Sequence, residues 1–597
     1  MPARFFLFLL LSACTVLPTA PDGGEGAGDA RVMPACTEGQ GRCRDGALER
    51  CVEGAWSVER TCDAMREICD EAAGCVVVDP CTRAELERSN VGCAYLAADL
   101  PQPRVSSWPI PFAWPWRAQY GVAISNPWPE PVNVEVHQND ALPGEGFVDA
   151  LVTSVTIEGN SVELIPLPTR EVSGLASDMG PPSRSVLSNR AYRITSDLPV
   201  VAYQFNPVQN AGIYSDDASL LVPVHSLDES YVAIGWPGRG NDGPLMIPTD
   251  NRSFLTVVAA SGPTRLRVVP RCAVMAGDGV PALAAGEPFE VQLDELGVLN
   301  LQGADVAVAG ATDFSGTVVE ADRPIAVFSG VEAINISPPG GSACCADHLE
   351  EQLLPRSALG TEYVVVRSRV RRPVRVGAPE EDYVKILALD DGTTVTTTLP
   401  GDDAGFTLNR GESRVLFTAA SFTVSASRPV VVAQFLLSGG AVVPPTRDPL
   451  TGEETDPGEQ IGDPSFMTVP PLAQFRSEYR FLVPAGYEND TAMIAAPSGT
   501  TPMLDGAPLS CRRAPIGALA GTEWEALHCE LPDGGHHLTA DAPIGLVVMG
   551  HGPGVVSYGY TGGLDFEPIN QDCVEDTDCP GGEFCSGGYC TEEIDLF

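Results

Sequence analysis

Lysine is almost absent from this chain. Lys385 is the only one, and 36 basic residues face 79 acidic residues, which leaves a formal charge of −43. A chain this acidic offers no positive footprint for a phosphate backbone, which argues against nucleic acid as a partner. Aromatic residues make up only 7% of the chain, whereas there are 61 glycines and 53 prolines. This balance favours short strands and tight turns over long helices.

Long hydrophobic runs are missing after the first few residues. Residues 5–11 form an apolar run behind Arg4, which is typical of an export signal and far too short to cross a bilayer. The following Leu11-Ser12-Ala13-Cys14 resembles a bacterial lipobox. The resemblance implies that residues 1–13 are a lipoprotein signal peptide and that Cys14 is acylated; an ordinary signal peptide with a chance cysteine is the alternative.

The expected location follows from this N-terminus. Residues 14–35 show no periodic apolar pattern and are predicted to be a flexible tether. We expect a membrane partner through the lipid anchor, in the cell envelope of a Gram-negative bacterium, at the outer membrane or cell surface. The 18 cysteines also indicate an oxidising compartment.

Most of the cysteines are concentrated near the two ends of the chain. A module over residues 36–94 contains eight of them, with little apolar material between, so disulfides are expected to replace a core. Zinc is the alternative, but the paired Cys-x2-Cys spacing that it favours is missing, and about a hundred disulfide pairings remain open. The module resembles cysteine-rich repeats of myxobacterial lipoproteins. The eight cysteines are Cys36, Cys43, Cys51, Cys62, Cys69, Cys75, Cys81 and Cys93.

A second cysteine-rich segment ends the chain. Residues 572–597 are predicted to be a small two-disulfide knot formed by Cys573, Cys579, Cys585 and Cys590. Asp576 and Asp578 suggest calcium, but the further acidic positions of an EF-hand loop are missing. Between the two ends, Cys511 and Cys529 are expected to close a local loop. Cys272, Cys344 and Cys345 remain.

The middle of the chain is a fourfold repeat. The segments ITSDLPVVAY, VEADRPIAVF, VSASRPVVVA and LTADAPIGLV place Pro199, Pro324, Pro429 and Pro543 between 105 and 125 residues apart. Each predicts a strand, a polar turn ending in proline, and an apolar strand that starts at the proline. We therefore predict an all-β fold of four tandem β-sandwich-like repeats, at residues 95–212, 213–340, 341–460 and 461–571. A β-propeller is the alternative, although one blade takes only about 40–50 residues.

Two stretches of the repeats carry a family resemblance. PVVAYQFNP at residues 199–207 with DASLLVP at 217–223, and CCADHLEEQLLP at 344–355, resemble the N-terminal domain of the IgGFc-binding protein family. The matching motif residues are Cys344, Cys345, Asp347, His348 and Glu351. In animals this family is tied to mucus gels and antibody Fc, and it offers no catalytic residue to transfer. The resemblance implies an extracellular binding or adhesion domain.

Catalytic motifs are missing from the sequence. It contains no His-Glu-x-x-His, no Gly-x-Ser-x-Gly and no Walker loop, so we predict no enzyme, no cofactor and no metal. Asp347, His348, Glu350 and Glu351 do bring acids and a base together, and a metal or proton-transfer site there is conceivable. The preferred interpretation is a polar turn beside a cystine at the start of the third repeat.

Two surface features are candidates for ligand binding. Arg367, Arg369 and Arg371 alternate and are predicted to share one face of a strand, where guanidinium groups could bind carboxylate or sulfate groups of a glycan. The alternative is a solvated face that is paired with Glu380, Glu381 and Asp382. Trp114 and Trp116 lie in a proline-rich segment with Trp108 and Trp128; they would either stack on sugars or clamp the cysteine-rich module onto the first sandwich.

Together these features predict a lipid-anchored extracellular protein that binds a polymeric ligand such as a glycan or glycoprotein. The alternative is a non-catalytic scaffold or spacer of the cell envelope, whose acidity keeps it solvated.

Overall fold

The structure is a computed structural model. It describes residues 36–44, 47–62, 67–103, 116, 118–174, 184–208, 217–240, 250–304, 312–341, 346–369, 371, 380–439, 446–447, 454–455, 462–487, 489–552, 556–570, 573, 579, 584–586 and 589–591. Within these ranges, no helix has the length and apolar character needed to span a membrane. The chain divides into two compact units, residues 1–78 and 79–597.

The first unit is a small disulfide-bonded β module. A three-stranded sheet contains β1 (Gly41–Arg44), β2 (Ala47–Val52) and β3 (Ala55–Thr61), and a hairpin contains β4 (Glu67–Asp70) and β5 (Gly74–Val77). Most of its strand residues are half-buried or exposed, so little apolar surface is available to stabilise it. Disulfides supply the missing stabilisation; they join Cys36 to Cys51, Cys43 to Cys69 and Cys62 to Cys75.

The predicted cysteine-rich module continues past the end of this unit. Its last disulfide, Cys81–Cys93, lies in the second unit and joins helix α1 (Pro80–Glu87) to strand β6 (Gly92–Ala98). Asp79 caps the helix by accepting hydrogen bonds from the amides of Cys81 and Thr82, and proline occupies the first helical position. Both elements contact the first sandwich.

The first sandwich uses β6 and six further strands. They are β7 (Gly121–Ser125), β8 (Val132–Asn139), β9 (Asp149–Ile157), β10 (Val162–Pro166), β12 (Ala191–Asn206) and β13 (Asp217–Leu220), whereas β11 (Val186–Ser188) pairs with a strand of the second sandwich. One antiparallel sheet has the order β6, first half of β12, β8, β9. The other has the order β10, β7, second half of β12, β13.

The second sandwich repeats this plan. Its strands are β14 (Asp228–Val232), β15 (Arg239–Gly240), β16 (Asp250–Asn251), β17 (Ser253–Ala259), β18 (Thr264–Val269), β19 (Phe289–Leu293), β20 (Val298–Gln302), β21 (Val318–Ile334) and β22 (Asp347–Gln352). One sheet has the order β14, first half of β21, β18, β19. The other has the order β20, β17, second half of β21, β22, and β11 extends it by pairing with β20.

The third sandwich has two separate four-stranded sheets. Its strands are β23 (Glu362–Val365), β24 (Asp382–Ala388), β25 (Thr393–Thr397), β26 (Gly405–Leu408), β27 (Ser413–Thr418), β28 (Phe422–Ala426), β29 (Val430–Phe435), β30 (Thr446–Arg447), β31 (Glu454–Thr455) and β32 (Phe466–Thr468). The sheet orders are β23-β28-β25-β26 and β27-β24-β29-β32. Residues of both sheets share one hydrophobic core.

The fourth sandwich completes the series. Its strands are β33 (Arg476–Val483), β34 (Thr491–Pro497), β35 (Met503–Leu504), β36 (Ala507–Pro508), β37 (Cys511–Leu519), β38 (Thr522–Glu530), β39 (Gly534–Gly552) and β40 (Val556–Thr561). One sheet has the order β33, first half of β39, β35, β36, and the other has the order β37, β38, β34, second half of β39, β40. A terminal hairpin contains β41 (Phe584–Ser586) and β42 (Tyr589–Thr591). Short 3₁₀ turns lie at Val224–Ser226, Arg356–Ala358, Gly401–Asp403 and Leu472–Gln474.

The fold therefore confirms the all-β prediction with tandem sandwich-like repeats, but one detail of the repeat is wrong. The predicted turn before each proline is, in three repeats, a bend inside one long strand: β12, β21 and β39 continue through Pro199, Pro324 and Pro543. Each long strand pairs with one sheet before the bend and with the other after it, and its pairing register shifts there. A strand that changes sheets must bend, and proline is tolerated where the ladder is interrupted. Only at Pro429 is the segment split, into β28 and β29.

A buried tyrosine fixes this bend in each sandwich for which the contact is described. The hydroxyl groups of Tyr95, Tyr363 and Tyr479 donate hydrogen bonds to the carbonyl oxygens of Val200, Val430 and Ile544. Each acceptor is the residue after the repeat proline. The tyrosine therefore satisfies a buried carbonyl at the point where the regular ladder is broken.

The last strand of each sandwich contacts those of its neighbours. Strand β13 contacts β22, β22 contacts β32, β32 contacts β40, and β40 contacts β13. The fourth sandwich thereby contacts the first. Two further contacts join these two sandwiches: the ring centroids of Tyr203 and Tyr560 lie 4.8 Å apart, and the amide of Asn90 bonds to the carbonyl of Leu564. The four edge strands form a closed cycle, which defines the centre of the second unit.

Candidate functional site

Strand β22 places the family-motif residues at the centre of this cycle. All six of its residues, Asp347 to Gln352, are buried. The interpretation as a polar turn is therefore wrong, because this segment pairs with the second half of β21 and is flanked by β13 and β32. Neighbouring sandwiches cover the side chains that the sequence placed in a polar turn. Cys344 and Cys345, the other two motif residues, lie outside the described residues.

Glu350 connects the second sandwich to the first. Its carboxyl oxygens accept hydrogen bonds from Gln204 Nε2 at 2.7 Å and Ser219 Oγ at 3.3 Å. Its backbone amide donates to Asp217 Oδ2 at 3.2 Å. The amide oxygen of Gln204 in turn accepts from the hydroxyl of Tyr120. Every side chain in this network is buried.

Glu351 connects the second sandwich to the third. One of its carboxyl oxygens accepts hydrogen bonds from the amide of Thr468 at 3.0 Å and from its hydroxyl at 2.7 Å. Thr561 of the fourth sandwich donates its hydroxyl to the carbonyl of Thr468 at 2.7 Å. Polar contacts therefore run through all four sandwiches. We refer to Asp217, Glu350 and Glu351 as the central carboxyl cluster.

The pKa values of this cluster are raised. Burial, reinforced by the neighbouring carboxyl groups, raises the pKa of Asp217 and of Glu350 well above the usual range. Burial raises the pKa of Glu351 to about 8. In a desolvated position the neutral acid is favoured over the carboxylate, so burial shifts all three groups toward the protonated form.

His348 does not act as a base toward this cluster. Burial lowers the pKa of its imidazole to about 4, and its ring stacks on Phe254. Its Nδ1 lies 3.2 Å from the carbonyl oxygen of Glu332. The arrangement is that of a neutral, fully buried core histidine.

Among the residues that the structure describes, no set of metal ligands lies around the cluster. Among the described residues, the group of potential metal ligands within mutual reach is Cys62, Glu67 and Cys75 of the first unit. Cys62 and Cys75 are bonded to each other, so neither has a thiolate to offer.

The three arginines do not form the predicted strand face. Strand β23 ends at Val365, which pairs with the first residue of β28, so the ladder has no partner for the residues that follow. The side chain of Arg371 is only 1% exposed and bonds to Glu380 at 2.6 Å, the pairing considered as the alternative. Arg369 bonds to Glu530 at 2.9 Å. The backbone carbonyl of Arg367 lies 2.8 Å from His528 Nε2, so the segment is part of the junction with the fourth sandwich.

The tryptophans are only partly described. Trp116 is half-buried, and Trp108 and Trp114 lie outside the described residues. Trp128 is buried and donates its Nε1 hydrogen to the carbonyl of Pro199 at 2.6 Å. It therefore packs at the bend of the first sandwich, where it is unavailable for stacking on a sugar.

The structure describes some of the other cysteines for which the sequence predicted a role. Cys511 and Cys529 face each other across β37 and β38 and form a disulfide. Cys573 and Cys579 are disulfide-bonded, whereas Cys585 and Cys590 are described only as paired positions of the last hairpin. Cys272 is a buried free thiol. Cys14, the predicted lipidation site, lies outside the described residues.

Lys385 joins the second and third sandwiches, a role that was not predicted from the sequence, where it stands out only as the single lysine. Its ammonium group lies between the second and third sandwiches and donates to the carbonyl of Gly235, to Asp313 Oδ2 and to Ser315 Oγ at 2.7–2.8 Å. A lone lysine inside the apolar run VKILAL was the available signal, since a lysine there must be either buried with partners or exposed on a strand edge.

Comparison with known proteins places these residues in a family. The family model described as IgGFc binding protein matches residues 217–550, a span that includes the central carboxyl cluster. The human (Homo sapiens) protein named IgGFc-binding protein is 25% identical over 386 residues, which amount to 63% of this chain and 6% of the human protein. The chain thus spans only a small fraction of the length of that relative.

Proposed function

This chain belongs to the IgGFc-binding protein family, and we propose that it is an extracellular protein that binds a polymeric ligand, a glycan or a glycoprotein, without catalysing a reaction. The observation that carries the proposal is the burial of the motif acids. Asp347, His348 and Glu351, the described residues that resemble a reactive group, are all at most 3% exposed. Glu351 connects the second sandwich to the third and His348 packs against Phe254 inside the second, which leaves the outer faces of the four linked sandwiches for recognition.

We further propose that the chain is anchored in the cell envelope through an acylated Cys14, at the outer membrane or cell surface of a Gram-negative bacterium. Arg4 and the apolar residues 5–11 support an export signal. Mass spectrometry of the chain purified from membranes tests the anchor: the expected N-terminus is a lipid-modified Cys14, and Cys14→Ser is expected to release the protein from the membrane. Retention of residues 1–13, or an unmodified Cys14, would contradict it.

A scaffold or spacer is the second candidate, and one observation favours it. Arg369 and Arg371 are engaged by Glu530 and Glu380, so the basic side chains that appeared suited to an acidic glycan bind carboxylates of the chain itself. The strong negative charge would keep such a scaffold apart from other anionic polymers.

A binding panel separates the two candidates. The full chain is applied to immobilised mucin, acidic and neutral bacterial polysaccharides, and antibody Fc, each at two salt concentrations. Saturable binding to one class that is lost when the chain is reduced and unfolded supports recognition by the folded sandwiches. No binding on any surface, together with self-association in sedimentation, would overturn the binding proposal in favour of the scaffold.

A further inference from the structure

Strand β9 lies at the edge of the first sandwich. Its nine residues, Asp149–Ile157, pair with β8 on one side, and no strand within the described part of the chain pairs with the other side. Only Ile157 is buried, and the rest of the strand is exposed or half-buried. An edge strand presents a row of unpaired backbone N–H and C=O groups, which can pair with another extended chain.

The corresponding edge strand, the last in the same sheet order, is much shorter in the other three sandwiches. It has 5 residues in β19, 4 in β26 and 2 in β36. Strand β19 also carries an exposed Glu290, and β36 ends in Pro508. Short strands, charges and proline are the means by which natural edges avoid pairing. After Asp149, strand β9 contains neither a charged residue nor a proline, so the first sandwich keeps an edge that the others protect.

The apolar side chains along this edge are only partly covered. Val152 and Val155 pack against the hydrophobic core but are half-buried, and Leu151 is 58% exposed. The strand has one irregularity, a register shift that leaves Val152 without an opposite residue on β8, whereas the ladder is regular from Thr153 to Ile157. A strand added along this regular segment would cover Val155 with its own alternate side chains.

The hairpin that carries β9 is held in place at its loop. The amides of Gly144 and Gly146 donate to Asp294 Oδ2 at 2.8 and 3.2 Å. The Nδ2 of Asn139 donates to the carbonyl of Glu295 at 2.9 Å. Both acceptors belong to the second sandwich, between β19 and β20. An edge that is already ordered loses less conformational entropy when a partner binds.

The charge of this hairpin favours a basic partner. Residues 132–158 contain five acidic residues and neither lysine nor arginine. Arg193 of β12 bonds to Asp149 at 3.3 Å and offsets one of these charges. A second copy of the hairpin would double the negative charge at the contact, and like charges that face each other across a ladder are destabilising. The five acids, all exposed, are Glu135, Asp140, Glu145, Asp149 and Glu158.

We propose that β9 is a docking edge for an extended segment of a basic protein, which adds to the sheet as a further strand. Backbone hydrogen bonds along Thr153–Ile157 hold the segment, and apolar residues at alternate positions pack beside Val155. Lysine and arginine residues of the segment face the exposed acids of the hairpin. This inference goes beyond the polymer recognition proposed above, because it uses a strand edge and a polypeptide partner, and it does not depend on a ligand of the outer faces.

Hydrogen–deuterium exchange of the full chain tests the proposal. The probe is a pool of acetylated peptides of about ten residues, in which lysine or threonine alternates with valine, isoleucine, tyrosine or phenylalanine. Exchange in residues 149–157 should slow about tenfold when the pool is added, because new hydrogen bonds protect the edge amides. Unchanged exchange in β9, or protection confined to other strands, would overturn the proposal.

A matched pool with glutamate in place of lysine tests the charge of the partner. It should leave β9 unprotected, and the protection given by the basic pool should weaken as salt is added, because exposed charges are screened. Equal protection by both pools would contradict a basic partner. Sedimentation of the chain alone tests self-pairing: a dimer whose β9 is protected without any peptide would overturn the proposal in favour of a second copy.

Variants localise the contact. Ser154→Lys and Thr156→Lys each place a lysine at an exposed position of β9, and each should weaken capture of the basic pool about tenfold, because lysine protects natural edges and would repel a basic segment. Thr407→Lys is the matched control, since it makes the same change at an exposed position of β26, and it should bind the pool as the unaltered chain does. An equal effect of all three substitutions would contradict the assignment to β9.

Discussion

The backbone amide of Glu350 in the second sandwich donates a 3.2 Å hydrogen bond to Asp217 Oδ2 in the first. Two acidic residues of neighbouring repeats thus meet inside the protein, where both side chains are fully buried. Such an arrangement is stable only if desolvation is offset by hydrogen bonds and by protonation. The family-motif segment is therefore part of the packing between repeats.

The tyrosine beside the repeat proline, described in the first, third and fourth sandwiches, makes a prediction that can be compared between repeats. Tyr363→Phe removes the hydrogen bond to the carbonyl of Val430 and leaves that carbonyl buried without its partner. Equilibrium denaturation should show a loss of about 1–3 kcal/mol in the free energy of unfolding. Tyr479→Phe should cost a similar amount, because it makes the same contact with Ile544.

Tyr383→Phe is the control for these variants. Its hydroxyl also bonds to a carbonyl, that of Ser337 at 2.9 Å, but the tyrosine is only half-buried, so water can replace the lost partner. A cost for Tyr383→Phe equal to that of Tyr363→Phe would mean that the bend has no special requirement for the tyrosine.

Lys385 is expected to stabilise the contact between the second and third sandwiches. Lys385→Met keeps most of the side-chain volume but leaves Asp313, Ser315 and the carbonyl of Gly235 without their common donor. We expect a loss of about 2–3 kcal/mol in the free energy of unfolding, since the broken ion pair is largely buried. Arg414→Met is the control, because its ion pair with Asp403 is exposed and is worth at most about 1 kcal/mol.

Chemical labelling provides a second measurement on Lys385. An amine-acylating reagent should leave this lysine unmodified in the folded chain and modify it after unfolding, as located by mass spectrometry. Rapid labelling of Lys385 under native conditions would show that the contact between the two sandwiches is open in solution.

The arginines of the third sandwich are predicted to differ strongly in their effect on stability. Arg371→Ala leaves Glu380, whose side chain is 5% exposed, buried without its partner and should cost about 3–5 kcal/mol. Arg369→Ala should cost about 0–1 kcal/mol, because its partner Glu530 is 77% exposed. Urea denaturation of the two variants checks this difference. Equal, small costs would restore the interpretation as a solvated row of arginines.

The architecture of the repeats was largely predictable from sequence. Proline at the same place in four apolar segments, Pro199 to Pro543, marks a feature that is local to each repeat. Local steric rules are sufficient to place a strand on each side of it. They do not reveal that β12 is one strand shared by two sheets, because that depends on which strands pair before and after the bend.

The environment of polar residues was less predictable. The alternation of arginines along residues 367–371 suggested that Arg367 and Arg371 continue a strand. The partner strand β28 begins opposite Val365, however, and the local sequence does not show where the pairing ends. Asp347 and Glu351 were interpreted as part of a polar turn beside a cystine. They are buried because strands more than a hundred residues away in sequence, β13 and β32, pack beside them. Burial by distant repeats leaves no periodic signal in the segment itself.

The central claim is that the carboxyl cluster is a neutral packing contact, and Glu350→Gln tests it most directly. Burial raises the folded pKa of Glu350, so the folded chain keeps this proton to a higher pH than the unfolded chain, in which Glu350 ionises above about pH 4.3. Its contribution to stability is therefore fully present below that pH and is lost as the pH rises toward its raised folded pKa. Glu351, whose folded pKa is about 8, acts in the same direction. Unfolding free energies are measured between pH 4 and pH 8 for the unaltered chain and the variant.

For the unaltered chain we expect the free energy of unfolding to fall as the pH rises above the range in which Glu350 ionises in the unfolded chain, because the folded chain keeps that proton to a higher pH. Glutamine resembles the neutral acid, accepts from Gln204 and donates to Ser219, so the variant should match the unaltered chain near pH 4 and exceed it at pH 8. A variant that is less stable at every pH would show that a charged carboxylate is required, and would contradict the account.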